Sequence, residues 1–234
     1  MQKAICKVLV LPIRKSQESG AEMISQMLFG ETCTIVSVKG SDAKIVTDFD
    51  HTEGWVFIHN LENVEGIASK NIVQKPFEFK DFQGNNALYS IGSEVDFEID
   101  QVVDQANLRE SLVKWAFTFR HVPFLAGGRS FFGLDSSAFI QLLFKAHGIV
   151  LPRTAVQQSN FGQVLDFVEE SEGGDLAFFE DETGLINHVG LMMNNCEVMH
   201  CFGEVRKDAI DSLGIFNLEL NRHTHKLRFI KRIL

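Results

Sequence analysis

The chain has 234 residues, enough for one large domain or two smaller ones, and its 45% hydrophobic and 23% charged residues are typical of a globular protein. Its formal net charge of −9 excludes nucleic acid as an expected partner, because binding to phosphates requires a basic surface. The four cysteines lack the C-x-x-C spacing of a metal site, so we predict no metal, no cofactor and reduced thiols.

The N-terminus carries an apolar run, residues 8–13, that is short, contains Pro12 and precedes no small-residue cleavage site. We therefore interpret it as part of the first strand rather than as a signal peptide, and we expect a cytoplasmic location. No apolar run approaches the length of a membrane-spanning segment, so no membrane span is predicted. The sequence carries no signal for an oligomeric state.

Residues 1–65 contain several short runs of β-forming residues separated by turn signals, which is the pattern of a small β-barrel. The predicted strands are residues 7–13, 34–39, 43–47 and 54–59. Residues 66–104 contain alternating apolar positions, and we interpret them as strands that link the barrel to the next domain, with a partial second barrel as the alternative.

Residues 107–121 are predicted to form a helix, because apolar residues recur at helical spacing, and Pro123 ends it. A glycine-rich aromatic loop follows, and a second helix begins at about residue 135 and ends near Gly148. This second helix is apolar over most of its circumference, which indicates that it lies inside the core.

Three polar residues, Asp135, Ser136 and Ser137, stand where the second helix begins, and each is a residue type that caps a helix N-terminus. A side chain at residue 136 or 137 is held at the positive end of the helix dipole. A nucleophilic cysteine uses that arrangement because it favours a thiolate. Taken alone, the stretch is also explained by a capped loop that leads into a core helix.

Two histidines, His188 and His200, lie on the two strands of a predicted hairpin. A two-residue turn at residues 194–195 places His188 opposite Cys201, whereas a three-residue loop places it opposite His200. The sequence alone leaves both registers open. The other six histidines are interpreted as core or surface imidazoles: His51, His59, His121, His147, His223 and His225.

The stretch 124–139 resembles the nucleophile motif of the NlpC family of cell-wall peptidases, which are papain-like cysteine hydrolases. Eight positions match the family pattern: Gly127, Gly128, Ser130, Phe132, Gly133, Asp135, Ser137 and Phe139. Four positions depart from it: Phe124 replaces a tyrosine, Ala126 a tryptophan, Ser136 the catalytic cysteine and Ala138 a glycine. An engineered Cys→Ser change and natural degeneration both explain Ser136, and the three further departures favour degeneration.

Further segments carry the same resemblance over roughly residues 107–230. The family's L-P-R segment is similar to residues 151–153, where we interpret Arg153 as a structural anchor, and its G-D-L-x-F-F segment is similar to residues 174–179. The family's H-V-G and V-I-H segments are similar to residues 188–190 and 198–200. Residues 53–56 and the strands before them resemble a bacterial SH3-like domain.

The resemblance implies an α+β fold, with an N-terminal SH3-like β-barrel followed over residues 105–234 by a papain-like domain with an antiparallel sheet and packed helices. It assigns Ser136 to the nucleophile position, His188 to the general base and His200 to the residue that orients that base, and it selects the register in which the two histidines meet. The residues implied in substrate binding are Asp135, Ser137 and Phe124.

The implied substrate is a short peptide derived from bacterial peptidoglycan, cleaved at a γ-D-glutamyl–diamino-acid bond. Because a serine hydroxyl is far harder to ionise than a thiol, the first hypothesis is an impaired or inactive homologue that binds such a peptide. The second is a working hydrolase that uses Ser136. The third is a structural interaction protein whose cleft is occluded.

Overall fold

The computed structural model describes residues 2–66, 70–82 and 85–234 of the chain. The first seven strands are β1 (Gln2–Cys6), β2 (Val10–Arg14), β3 (Met23–Leu28), β4 (Thr32–Lys39), β5 (Asp42–Thr47), β6 (Glu53–Phe57) and β7 (Leu61–Asn63). They form one antiparallel sheet in the order β3-β2-β6-β5-β4-β1-β7. Alternate side chains of β5, beginning with Ala43, are buried, which gives this sheet an apolar core of its own.

The strand predicted over residues 7–13 is wrong in its bounds, because the chain changes partners inside that apolar run. It leaves β1 at Cys6 and rejoins the sheet as β2 at Val10. The strand β1 pairs with β4 and β7, whereas β2 pairs with β3 and β6. Hydrophobicity continues through the corner, so the run contains no signal for the break. The strand predicted over residues 54–59 also ends early, in a 3₁₀ turn at Ile58–Asn60.

Two small antiparallel pairs follow in the part of residues 66–104 that the structure describes. They are formed by β8 (Asn71–Ile72), β9 (Phe77–Phe82), β10 (Asn85–Ser90) and β11 (Glu94–Val95). The strand β8 pairs with β11 and β9 pairs with β10, around a small cluster that includes Tyr89. No second barrel is present in this described part. Residues 67–69 and 83–84 of the predicted linking segment lie outside the described residues.

The C-terminal part combines helices with antiparallel strands, as the α+β prediction requires. The helices are α1 (Leu108–Ala116), α2 (Ser136–Ala146) and α3 (Ala155–Gln158). The strands are β12 (Arg129–Ser130), β13 (Gly133–Leu134), β14 (Gln163–Leu165), β15 (Leu176–Glu180), β16 (Ile186–Asn194), β17 (Glu197–Phe202), β18 (Glu204–Asp211), β19 (Gly214–Asn217) and β20 (Arg222–Arg232). The helix predicted over residues 107–121 is shorter than expected, since a 3₁₀ turn replaces it at Phe117–Phe119.

Six of these strands close into a barrel-like sheet. The order β20-β15-β16-β17-β18-β19 is completed by pairing of β19 with β20, and β14 flanks β20. Alternation along each strand separates two apolar faces. Ala177, Met192 and Val198 share the inner cluster, while Leu191 and Met199 lie in the cluster that also contains α2.

The helix α2 lies inside the cluster that contains Leu191 and Met199, and every residue of the helix is buried. It ends at Ala146, and Gly148, two residues further on, has the left-handed φ of +78° predicted for the terminator. Among the described residues, no helix combines the length and the apolar character needed to cross a membrane.

Buried charges join the N-terminal sheet to α2. Glu31, which is 3% exposed, accepts hydrogen bonds from the guanidinium of Arg129 at 2.8 and 2.9 Å and from the ammonium of Lys145 at 2.6 Å. Lys145 also donates to Glu94 at 2.9 Å. The ring of Phe49 lies 5.0 Å from the guanidinium and 4.4 Å from the ammonium. One buried carboxylate shared by two cations therefore forms part of the contact between the two halves.

Candidate active site

Ser136 is the first residue of α2, so its hydroxyl lies at the positive end of the helix dipole, as the sequence predicts. The residue is 7% exposed and lines an open cleft. Among the residues that the structure describes, none is in hydrogen-bond contact with this hydroxyl. Its oxygen is therefore accessible to a bound molecule and fixed in place by the helix backbone.

Asp135 is the N-cap of α2 and is held by several donors. Its carboxylate accepts hydrogen bonds from the amide of Ala138 at 2.9 Å and from the hydroxyl of Ser137 at 3.0 Å. Arg153 donates to both carboxylate oxygens, at 2.9 and 2.6 Å, and also to the Ser137 hydroxyl at 3.0 Å. The contacts of Arg153 are those of the predicted structural anchor. Asp135 and Ser137, which were predicted to contact substrate, are thus also parts of the structure that fixes the helix start.

His188 and His200 contact each other, although both predicted hairpin registers are wrong. The residue opposite His200 is Gly190, and an irregularity between Met192 and Asn194 shifts the register near the turn. Because His188 lies two residues before Gly190, it projects from the same face, and its Nε2 lies 3.0 Å from Nδ1 of His200. Sequence-based pairing failed because the turn lies at residues 195–196 rather than 194–195, and because the irregularity shifts the pairing by one residue inside the strand.

The hydrogen bonds behind His188 fix the tautomers of both rings. Asp208 lies 3.0 Å from Nε2 of His200, and its carboxylate is also held by Arg206 at 2.7 and 3.0 Å. A carboxylate can only accept, so Nε2 of a neutral His200 carries the proton and Nδ1 accepts one from Nε2 of His188. This leaves Nδ1 of His188 as an unprotonated nitrogen, which is the form that a general base requires.

The cleft that holds Ser136 has a volume of about 570 Å³. The helix start, the loop before it and the strands β16, β17 and β20 contribute its walls. Its lining residues are Phe124, Ala126, Gly127, Asp135, Ser136, Ser137, Thr154, Ala155, Val156, Ile186, Asn187, His188, Cys201, Phe202, Gly203 and His225. All the predicted site residues except His200 therefore line one cavity. His200 lies behind His188 and is fully buried.

Comparison with known families identifies both halves of the chain. The profile of the NlpC/P60 family matches residues 121–215, and that of the bacterial dipeptidyl-peptidase SH3 domain matches residues 13–61. The chain therefore contains an NlpC/P60 domain and a bacterial SH3-type domain. The resemblances read from the sequence, and the fold that they imply, are thereby confirmed.

Several known proteins are similar to this chain. The γ-D-glutamyl-L-lysine dipeptidyl-peptidase of Bacillus subtilis (strain 168) is 25% identical, over 75% of this chain and 71% of the relative. A probable endopeptidase of Haemophilus influenzae is 35% identical, over 41% of this chain and 57% of the relative. A crystal structure of an NlpC/P60 family protein from Bacillus cereus ATCC 10987 shares the fold, with a TM-score of 0.81, 18% identity and 99% coverage of both chains.

Three residues of the NlpC/P60 site were missed by sequence reasoning. His225, interpreted from the sequence as an ordinary imidazole, stacks on His188 with ring centroids 4.2 Å apart and lines the cleft. Asp208 and Arg206 support His200 from the next strand. Asp208 and Arg206 lie on β18, which pairs directly with β17, and His225 lies on β20, which is joined to β16 through β15. No local motif marks them, because the signal is the strand order.

Burial keeps the imidazoles of this site uncharged at neutral pH. Burial, with the neighbouring imidazoles of His200 and His225, holds the pKa of His188 well below its usual value of 6.5. Burial, with the neighbouring imidazole of His200, lowers the pKa of His225 to about 4. Burial also lowers the pKa of His200, and the Asp208 carboxylate opposes that shift. The site therefore offers neutral nitrogens rather than an imidazolium.

Cys201 also lines the NlpC/P60 cleft, but its thiol is not activated. It projects from the face of β17 opposite His200, into the cluster around α2, and its Sγ donates to the carbonyl of Leu134 at 3.4 Å. Burial, with Asp135 as a further cause, raises its pKa to about 12. A thiol that stays protonated is a poor nucleophile, so Cys201 does not substitute for the missing cysteine.

The loop before α2 requires glycine at residue 127, where it touches the SH3-type domain. Gly127 has a φ of +70°, and a Cβ there would lie 2.0 Å from the carbonyl oxygen of Met23. Only glycine allows both this conformation and this approach. The first strands thus set the position of the loop that forms one wall of the cleft.

We expect Gly127→Ala to destabilise the protein by more than the roughly 1–2 kcal/mol that the left-handed conformation costs a residue with a side chain, because the added methyl also collides with Met23. Urea denaturation measures the change in the free energy of unfolding. Gly20→Ala is the matched control, since its φ is +81° and nothing lies within 4 Å of the added Cβ. Equal losses in the two variants would show that the contact with Met23 imposes no constraint.

Proposed function

We propose that this chain binds a short peptidoglycan-derived peptide containing a γ-D-glutamyl–diamino-acid unit, and that Ser136 impairs its hydrolysis. The observation that supports this best is the position of a serine hydroxyl at the start of α2, in an open cleft that His188 also lines. The γ-D-glutamyl-L-lysine dipeptidyl-peptidase named above supports the ligand class. With the expected cytoplasmic location, the ligand would be a free fragment rather than intact cell wall.

The impairment follows from the chemistry of the nucleophile. A helix N-terminus and an imidazole can lower the pKa of a thiol from about 8.5 by several units, so that a thiolate exists before substrate arrives. An alcohol stays protonated under the same influence and must lose its proton during attack. The shorter C–O bond also withdraws the oxygen from a site shaped for sulfur. The contacts that would bind the peptide remain, but the hydroxyl oxygen of Ser136 is poorly suited to act as the nucleophile.

The lining of the cleft supports a ligand that carries an amine. Asp135 is the only acidic side chain among the described lining residues, and no lysine or arginine lines the cavity. The Asp135 side chain is 21% exposed, so its carboxylate keeps an accessible edge beside the Arg153 ion pair. The remaining walls are mostly apolar or aromatic, as in Phe124 and Phe202, and they suit the methyl and methylene groups of a short peptide.

A working serine hydrolase is the second candidate, and the tautomer of His188 favours it. Because the chain of hydrogen bonds from Asp208 leaves Nδ1 of His188 unprotonated, this nitrogen is able to take a proton from a nucleophile. An occluded structural protein is the weaker alternative, since a cleft of about 570 Å³ lies open at Ser136.

Calorimetric titration of the unmodified protein with a synthetic γ-D-glutamyl-L-lysine peptide tests the proposal, together with an assay for product release. We expect saturable binding, preserved in Ser136→Ala, with little or no product. The α-linked isomer of the peptide is the control for specificity. Rapid turnover that Ser136→Ala abolishes would instead establish a serine hydrolase, and absence of binding would refute the proposed ligand.

A further inference from the structure

We propose that His188, His200 and His225 form a binding site for one transition-metal cation of the Zn²⁺ class. This inference goes beyond the proposed function and does not depend on it. One ring nitrogen of each histidine can be chosen so that all three lie within 4.8 Å of one another. Imidazole nitrogens are common ligands of Zn²⁺ and its neighbours in the first transition series.

The spacing of two of the three nitrogens already suits a tetrahedral ion. With Zn–N bonds of about 2.0–2.1 Å, neighbouring ligand nitrogens in a tetrahedron lie roughly 3.3–3.4 Å apart. Nε2 of His188 and Nδ1 of His200 are 3.0 Å apart, so a small separation of the rings admits the ion between them. His225 stacks on His188, so its side chain would have to rotate out of the stack to direct its nitrogen at the same ion.

The surroundings of His200 resemble the support that metal-bound histidines usually have. Its second nitrogen donates to the Asp208 carboxylate at 3.0 Å, which orients the ring and directs Nδ1 towards the other two histidines. Arg206 in turn holds the carboxylate with two hydrogen bonds. Such a carboxylate–histidine pair both fixes the tautomer and makes the free nitrogen a better donor to a cation.

Access to the three histidines is from the cleft. His188 and His225 line it, while His200 lies behind them with no exposed surface. Three protein ligands leave a fourth coordination position for water or a ligand group, which is the arrangement of zinc sites that are not closed structural sites. Ser136 lines the same cleft as His188 and His225.

Occupation of this site would remove the base that hydrolysis requires. A cation on Nε2 of His188 displaces the proton that is shared with His200, and a neutral ring then carries its proton on Nδ1. The proton moves from one nitrogen to the other through solvent, so no net proton is released by His188. Metal binding and general-base action at Nδ1 are therefore mutually exclusive, and a bound cation would act as an inhibitor.

Zn²⁺ titration of the whole chain, freed of metal by a chelator, tests the site by calorimetry, and Co²⁺ reports tetrahedral ligation through its visible absorption. We expect one ion per chain. His225→Gln deletes one ligand and leaves the hydrogen bonds from His188 to Asp208 in place. It should weaken binding by more than the roughly 10–100-fold that losing a supporting residue such as Asp208 costs.

His223→Gln is the matched control, because His223 lies two residues from His225 on the same strand and pairs with Asp211 outside the cluster. It should bind the ion as the unmodified protein does. His225→Phe, which keeps a ring against His188, is the second deletion variant if the glutamine variant fails to fold. Unchanged affinity in a folded His225 variant, an equal loss in His223→Gln, or no stoichiometric binding by the unmodified chain would each overturn the proposal.

Discussion

Ser136→Cys is expected to recover cleavage of γ-D-glutamyl–diamino-acid peptides, and this is the largest change in rate that we predict for a single substitution. Removing a nucleophile from a complete hydrolase site costs on the order of 10⁶ in rate, so restoring it can return up to that factor. The measurement is product release from a free muropeptide under conditions in which the unmodified chain is assayed in parallel.

The physical reason is that residue 136 lines the same cleft as His188, which His200 and Asp208 support from behind. Residue 136 lies at the N-terminus of α2, where the dipole favours a thiolate. Nδ1 of His188, which lines the same cleft, is an unprotonated nitrogen that can accept the proton of the thiol, and the thiolate that forms would stabilise the resulting imidazolium against the effect of burial. His200 and Asp208 then hold that ring in position.

The controls separate a missing nucleophile from a cleft that has also changed. His188→Ala in the Ser136→Cys background should abolish the recovered activity, because it removes the base. If Ser136→Cys alone is inactive, adding Phe124→Tyr and Ala126→Trp restores the polar and aromatic groups of the family motif. Activity that appears only in the triple variant would show that the cleft walls, and not the nucleophile alone, have diverged.

Local sequence was sufficient to predict the helix start, because every determinant of it is local. The capping side chain of Asp135, the helix after it and the terminating Gly148 lie within one short stretch. The same holds for the two strands that carry His188 and His200. Each is recognisable by its own pattern and its own motif, so their placement on neighbouring strands was predictable.

The rest of the site depends on long-range pairing and was not predictable in the same way. The hairpin register depends on a turn at residues 195–196 and on an irregularity between Met192 and Asn194, which leaves no mark in the sequence. His225 lies beside His188 because β20 pairs with β15, which in turn pairs with β16. A period-two pattern tells which face a residue occupies but not which strand lies beside it.

The largest loss of stability that we predict follows from the same kind of long-range contact, at the charged junction between the N-terminal sheet and α2. Glu31 is shared by Arg129 and Lys145, and all three side chains are at most 3% exposed. Burial alone would raise the pKa of Glu31, but the two cations outweigh burial and hold the pKa below its usual value of 4.5. The carboxylate is therefore charged at neutral pH.

Glu31→Gln is expected to destabilise the protein by about 3–5 kcal/mol, the usual cost of leaving a buried charge without its partner. Glutamine fills the same space, so the loss reports charge rather than packing. Glu94 remains beside Lys145, at 2.9 Å, and offsets part of the cost for that cation. Because the pKa of Glu31 is lowered in the folded protein, its contribution is present above pH 4.5 and is lost as the pH falls through the folded-state pKa.

Urea denaturation followed by tryptophan fluorescence measures the effect, since Trp55 lies in the N-terminal sheet and Trp115 in α1. Glu22→Gln is the matched control: its ion pair with Lys15 is 3.5 Å long and exposed, so the change should stay within about 0.5 kcal/mol. Adding Lys145→Met to Glu31→Gln removes one of the two cations that lost Glu31 as a partner and should recover part of the lost stability. Equal midpoints for Glu31→Gln and Glu22→Gln would contradict the view that this shared carboxylate joins the two halves of the chain.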